Sequence, residues 1–262
     1  IQLSADYWYM KGLVINNAGD NGLYISGNNN QIEQCVFRNN DDTGLQIGGG
    51  GGNNFVLNCD SYYNVDPEYE DADGFATKFD VGEGNIFQGC RAWNNTDDGW
   101  DLWETDVQVI ILDCWAFRNG LLPSGYVSGG NGNGFKLGGN FVSGNHIVID
   151  CIACDNWKYG FHQNNNPGEI TIYHSVGFNN HERNFNFYLS DAGPNILTNN
   201  VSLGDPEDSD NLANCTQTTN SWNGELEASE EDFVNVDQSM GLDKRMPDGS
   251  LPANGFMHLA AG

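Results

Sequence analysis

Three segments share one pattern: Asp73-Gly74-Phe75-Ala76-Thr77-Lys78, Asp98-Gly99-Trp100-Asp101-Leu102-Trp103 and Asn133-Gly134-Phe135-Lys136-Leu137. In each, a polar residue and a glycine lead into an aromatic one, and residue character then alternates as in a short strand. If Phe75, Trp100 and Phe135 point inward, their flanking residues point outward. Stacked coils would then line up Ala76, Asp101, Lys136 and, one coil further on, His162, with neighbours about 4.8 Å apart. Asp73 and Asp98 precede the glycines at the bend and are taken as outward, with Asp97 at the adjoining turn. The cluster is expected to face water.

The repeat extends in both directions. Gly12 to Asn17 aligns with Cys35 to Asn40, Cys59 to Asn64, Cys90 to Asn95, Cys114 to Asn119, Cys151 to Asn156 and Ser175 to Asn180, with starts 23, 24, 31, 24, 37 and 24 residues apart. A second register runs Gly22, Gly44, Gly74, Gly99, Gly134, Gly160 and then Asn184, each followed by an apolar residue. A unit of roughly 22 to 25 residues cannot bury its own apolar face, whereas stacked units form a continuous core. The reading is all-β: a parallel β-solenoid of seven to eight coils over residues 1–200, with residues 201–262 as an irregular loop and tail packed on it. Asn17, Asn40, Asn64, Asn95, Asn119, Asn156 and Asn180 are read as a structural ladder satisfying turn backbone groups. The enlarged turns, 65–72 and 120–132, both lie between the repeated Asn and the repeated Gly, where they would wall a groove.

Composition limits the partners. Ten Lys and Arg against 36 Asp and Glu give a formal charge of -26. Such a chain has no basic face for nucleic acid or an anionic membrane. An anionic ligand would need a bridging cation. No apolar run approaches the ~20 residues of a membrane helix. A monomer is expected. The chain begins at Ile1 without a leader or a polar cap for the solenoid end, which suggests a processed protein or a fragment. The 7 cysteines match neither a zinc-site spacing nor a disulfide scaffold and are read as small buried residues.

Stacking Asp73 over Asp98 is repulsive unless a cation lies between them. Several carboxylates at this spacing offer the hard-oxygen environment that Ca²⁺ prefers. The alternative is a solvated acidic face. Lys136, one of only 10 basic residues, stands in register beside the carboxylates and favours the site. Lys78 would either bind an anionic substrate or neutralise loop 65–72. Trp103 is a candidate sugar-stacking platform or a cover for the next turn, and His162 a candidate substrate contact.

Ala72-Asp73-Gly74-Phe75-Ala76, Thr96-Asp97-Asp98-Gly99-Trp100-Asp101-Leu102-Trp103 and Asn131-Gly132-Asn133-Gly134-Phe135-Lys136-Leu137 together resemble family 9 of the polysaccharide lyases, the pectate lyase group. Gly19 to Gly22 and Pro247-Asp248-Gly249-Ser250-Leu251-Pro252 extend the likeness over most of the chain. The resemblance implies a right-handed parallel β-helix, Ca²⁺ ligands at Asp73, Asp97, Asp98 and Asp101, and Lys136 as Brønsted base. It also implies a secreted enzyme acting on a polyuronide such as pectate by β-elimination. A rhamnogalacturonan lyase of the same lineage and a non-catalytic Ca²⁺-binding carbohydrate solenoid remain alternatives. A polygalacturonase-type hydrolase could use Asp97 and Asp98 as paired carboxylates, but it would leave Lys136 unexplained.

Overall fold

A computed structural model describes residues 1–260. The chain winds as a parallel β-solenoid whose coils each contribute a short strand to up to three sheets. The first sheet has nine strands, from Gln2–Leu3 through Phe75–Thr77, Trp100–Asp101 and Phe135–Lys136 to Asn211–Leu212. The second has nine, from Tyr9–Lys11 to Cys215–Thr218, and the third eight, from Val14–Asn16 to Val201–Leu203. Every pairing between successive coils is parallel, as between Phe75 and Trp100 or Trp100 and Phe135. No α-helix forms among the described residues, and none of their helical turns is long and apolar enough to cross a membrane.

There are nine coils rather than the expected seven to eight. Strands at Val201–Leu203, Asn211–Leu212 and Cys215–Thr218 continue the stack, although the Gly-plus-aromatic signature has gone by then. From Ser221 onward the chain carries three short 3-10 turns and lies across the outer face of the third sheet. There Phe233, Leu251, Phe256 and Met257 cover Trp93, Trp115 and Phe117. Arg91 and Arg245 fasten this segment, both pairing with Asp60, at 2.8 and 2.7 Å. Arg91 also donates to the Gly241 and Asp243 carbonyls.

The inward positions of the first sheet form a stack of rings. Centroid separations are 4.9 Å for Phe75–Trp100, 4.8 Å for Trp100–Phe135 and 5.1 Å for Phe135–Phe161. These match the coil spacing, so the aromatic column helps to hold the register. Several third-sheet strands are buried on both faces, because the core covers one and the C-terminal segment the other.

The asparagine ladder is continuous from Asn40 to Asn180. From Asn64 onward each Asn Oδ1 accepts the backbone N–H and the Nδ2 of the Asn one coil before it, as Asn119 does from Asn95 at 3.3 and 3.0 Å. The second-register glycines are needed here, since a Cβ on Gly99 would lie 2.8 Å from Asn119 Nδ2 and 2.5 Å from the Gly134 carbonyl. Asn184 breaks that column because its own Oδ1 accepts from Asn180 and ends the ladder.

The first repeat is displaced by one residue from its expected alignment. Val14 pairs with Val36, so Asn17 matches Asn39, and Ala18 is the residue that donates to Asn40. Asn17 is exposed and lies outside the ladder. The cysteines are all free, and they do more than fill space. Backbone N–H groups of Cys35, Cys59, Cys90 and Cys114 point at the sulfur of the next coil, 3.4 to 3.5 Å away, so the column is also a weak hydrogen-bond ladder.

Candidate active site

Asp73, Asp98 and Asn133 begin three successive rungs at the bend that leads into the first sheet. Asp73 Oδ1 accepts the Asp98 N–H at 3.0 Å, and Asp98 Oδ1 accepts the Asn133 N–H at 2.7 Å and its Nδ2 at 2.8 Å. Each carboxylate therefore caps the turn above it with one oxygen and turns the other toward a lysine, Asp73 Oδ2 toward Lys78 and Asp98 Oδ2 toward Lys136. In the strands that follow, Ala76 pairs with Asp101, Asp101 with Lys136 and Lys136 with His162. The outward column read from alternation is present.

Its exposure is not as expected. Asp73 and Asp98 are 0% exposed, Asp101 1%, Asp97 3% and Lys136 8%. The cluster lies outside the coil but beneath the two enlarged turns. Asp66 organises loop 65–72, taking the Glu68, Glu70, Asp71 and Ala72 N–H groups and the Thr96 hydroxyl on its carboxylate. Gly129 and Gly130 of the second loop donate to the Tyr69 carbonyl, and Asn131 N–H donates to Asp97 Oδ1. The loops thus close on each other across the carboxylates, which alternation within strands could not reveal.

The four aspartates each offer an oxygen within 4.8 Å of the others. Lys136 Nζ lies 3.1 Å from Asp98 Oδ2, 3.1 Å from Asp101 Oδ2 and 4.0 Å from Asp97 Oδ2. Lys78 lines the groove and pairs with aspartates of the cluster. Its Nζ bridges Asp73 Oδ2 and Asp101 Oδ2, at 2.7 Å from each.

The electrostatics follow from burial and crowding. Burial pushes the Asp73 carboxyl up to about 7, opposed by Lys78 and reinforced by Asp101 and Asp98. Burial and neighbouring carboxylates also raise Asp97, and burial raises Asp98 against the pull of Lys136. Asp101 is the exception: burial works against its charge, but Lys136 and Lys78 together hold it below the usual carboxylate range. Burial disfavours the charged form of both lysines, yet the surrounding carboxylates outweigh it and raise both.

A cation fits this donor set. Asp101 Oδ1 is buried with no hydrogen-bond partner, and Asp98 Oδ2 has only the Lys136 ammonium nearby. Hard oxygens that are buried, close together and short of donors are what a divalent ion such as Ca²⁺ requires.

Above the cluster is a groove of about 340 Å³ lined in part by Lys136, Lys78, Asp101, Trp103, Phe79 and Asn131. Trp103 is half-buried and meets Phe79 edge-on at 5.4 Å. Gly139 passes so near that its Cβ would fall 1.7 Å from the Trp103 ring. The half-exposed Phe79 gave no signal in the sequence, because it follows the strand in a left-handed conformation, φ 60°. His162 is in register with Lys136 but buried, with ring contacts to Tyr159 and Tyr188, and it is not among the residues lining the groove. Burial, with Lys136 and Lys158, lowers its pKa to about 3, so it is neutral.

Residues 1–200 match the model of the Pel9A-like right-handed β-helix region. The chain belongs to that family. It is 41% identical over 262 residues to Pectate lyase L of Dickeya chrysanthemi, covering 98% of this chain and 61% of that protein. It is 37% identical to pectate lyase PEL9 of Emericella nidulans, covering 98% of this chain and 68% of the relative. The crystal structure of pectate lyase Pel9A superposes with a TM-score of 0.93 at 41% identity, over 99% of this chain and 65% of that one. A rhamnogalacturonan lyase superposes with a TM-score of 0.84 at 26% identity, over 99% of this chain and 72% of that one. The chain thus spans about 61% of the Dickeya relative's length, and it shares the family's right-handed fold.

Proposed function

We propose that this chain forms the catalytic β-helix of an extracellular pectate lyase that cleaves polygalacturonate by β-elimination and releases 4,5-unsaturated oligogalacturonides. The observation that carries the reading is the placement of Lys136, whose Nζ lies 3.1 Å from both Asp98 and Asp101 at the floor of the groove. Neither a hydrolase nor a structural cation site needs an amine there. The 41% identity to pectate lyases favours pectate over rhamnogalacturonan, where the match is 26%.

In this reading Asp73, Asp97, Asp98 and Asp101 hold Ca²⁺. When bound, the ion would supply a bridge to the uronate carboxylate and withdraw electron density from it, acidifying the C5 proton. Lys136 takes that proton as the C4–O bond breaks and the C4–C5 double bond forms. To do so it must be neutral, while Asp101 and Asp98 favour its charged form. The rate is therefore expected to rise into the alkaline range. Loops 65–72 and 120–132 keep water from the carboxylates, and Trp103 with Phe79 offers an apolar wall for a sugar face.

The test is ultraviolet absorbance of polygalacturonate incubated with the purified chain, with Ca²⁺ and then with excess chelator. A chelator-sensitive rise supports the reading. No rise on polygalacturonate but a rise on rhamnogalacturonan would replace the substrate. Binding without product from either would leave only a binding solenoid.

A further inference from the structure

The two lysines of the cluster are not equivalent. Lys136 reaches Asp98 and Asp101 from the following coil, whereas Lys78 lies on the coil of Asp73 and ties it to Asp101. Its side chain is 14% exposed, and its ammonium occupies Asp73 Oδ2 and Asp101 Oδ2. What remains is Asp101 Oδ1, without a partner, and Asp98 Oδ2 beside Lys136. With all four carboxylates ionised and both lysines protonated, the cluster carries two negative charges, the charge a divalent ion cancels. Asp42 and Asp71 line the same groove but form an ion pair with neither lysine.

We propose that Lys78 sets the charge selectivity of the cation site: as a built-in counter-ion it holds the residual charge at two and so favours divalent over trivalent ions. The inference rests on the reading that the four aspartates bind Ca²⁺. Inside a poorly solvated cluster, each fixed charge weighs strongly on the affinity for an ion, and adding one positive charge penalises a trivalent ion more than a divalent one. Selectivity obtained through a repulsive group is a general device. Lys78 also keeps the cation-free carboxylates from repelling one another, so a structural role and a selectivity role have to be separated by experiment.

The metal-free chain is titrated calorimetrically with CaCl₂ and, separately, with TbCl₃, for the wild type, Lys78→Met, Lys78→Gln and Lys78→Arg, with far-UV circular dichroism confirming the fold. Removing the charge is expected to tighten Ca²⁺ by at least about tenfold and Tb³⁺ by a further factor of about ten, raising the Tb³⁺ to Ca²⁺ preference. Lys78→Arg keeps the charge and is expected to retain the wild-type ratio. If Lys78→Met or Lys78→Gln folds and binds Ca²⁺ within twofold of wild type, or more weakly, with an unchanged ratio, Lys78 only positions the carboxylates and the inference is overturned. A wild type that binds neither ion overturns the cation site itself, and that failure appears before any variant is compared.

Discussion

Replacing Asn119 with alanine tests the ladder where it is best defined. Asn119 Oδ1 accepts the Asn95 N–H and Nδ2 at 3.3 and 3.0 Å, and its Nδ2 donates to the Ala92 carbonyl at 3.2 Å and to Asn156 Oδ1 at 3.0 Å. The substitution removes all four. Asn156 Oδ1 still receives the Asn119 backbone N–H at 3.1 Å, and Asn95 Nδ2 still reaches the Ser61 carbonyl at 3.2 Å, so those groups remain paired. The Asn95 N–H is left buried without an acceptor and the Ala92 carbonyl loses a donor. At about 1–3 kcal/mol for each of these two buried groups, the loss should be about 2–6 kcal/mol. For a chain of this size that corresponds to a fall in Tm of about 10 °C. The control is Asn17→Ala, which removes an exposed residue outside the ladder; its effect should stay within about 0.5 kcal/mol. Urea unfolding followed by far-UV circular dichroism measures both. A loss below about 1 kcal/mol at Asn119, or equal losses at the two positions, would refute the account of the ladder as the element that satisfies the bend.

Lys136→Ala should abolish formation of unsaturated product, measured by ultraviolet absorbance, while the variant still folds by circular dichroism; full activity would remove Lys136 as base. The stability of the chain in chelator should have opposing limbs with pH. Asp73, raised to about 7, contributes stability that is full below its unfolded value and lost as pH rises through 7, whereas His146, lowered to about 3 by burial, loses stability as pH falls below its ordinary 6.5. Excess Ca²⁺ should lift the alkaline limb, by about 2.7 kcal/mol at a hundredfold excess over Kd; scans from pH 4 to 9 that overlay with and without the ion would contradict this. Asp60→Asn should cost about 3 kcal/mol or more by leaving Arg91 and Arg245 without their carboxylate, and limited proteolysis should then release the segment beyond Ser221 first.

Much of this molecule is legible in its sequence because a solenoid repeats locally. The glycine and aromatic columns gave the rungs, and strand alternation placed Asp101 beside Lys136 in the register the structure has. Periodicity carries less where the repeat is weak or where distant segments meet. The first coil has Leu13 where the next five have Cys, so matching it by its terminal Asn runs one residue out of register, and Asn17 stays outside the ladder. The last coils lack the signature because the ladder ends at Asn184, yet strands continue to Thr218. The burial of the cluster depends on contacts between Tyr69 and Gly129, 60 residues apart, which no period encodes. The bridge from Lys78 to two coils depends on where a flexible side chain settles, which strand alternation does not encode.

Both enlarged turns leave the coil at one corner, between the asparagine ladder and the glycine column. The ladder closes beneath that corner whatever the length of the excursion, since Asn95 bonds to Asn119 across 24 residues and Asn119 to Asn156 across 37 by the same pair of contacts. The corner therefore works as an insertion port. Chain can be added or removed there without shifting the carboxylates and the lysine by a rung, so such a scaffold can acquire a new substrate preference by changing the walls while its reactive floor stays fixed.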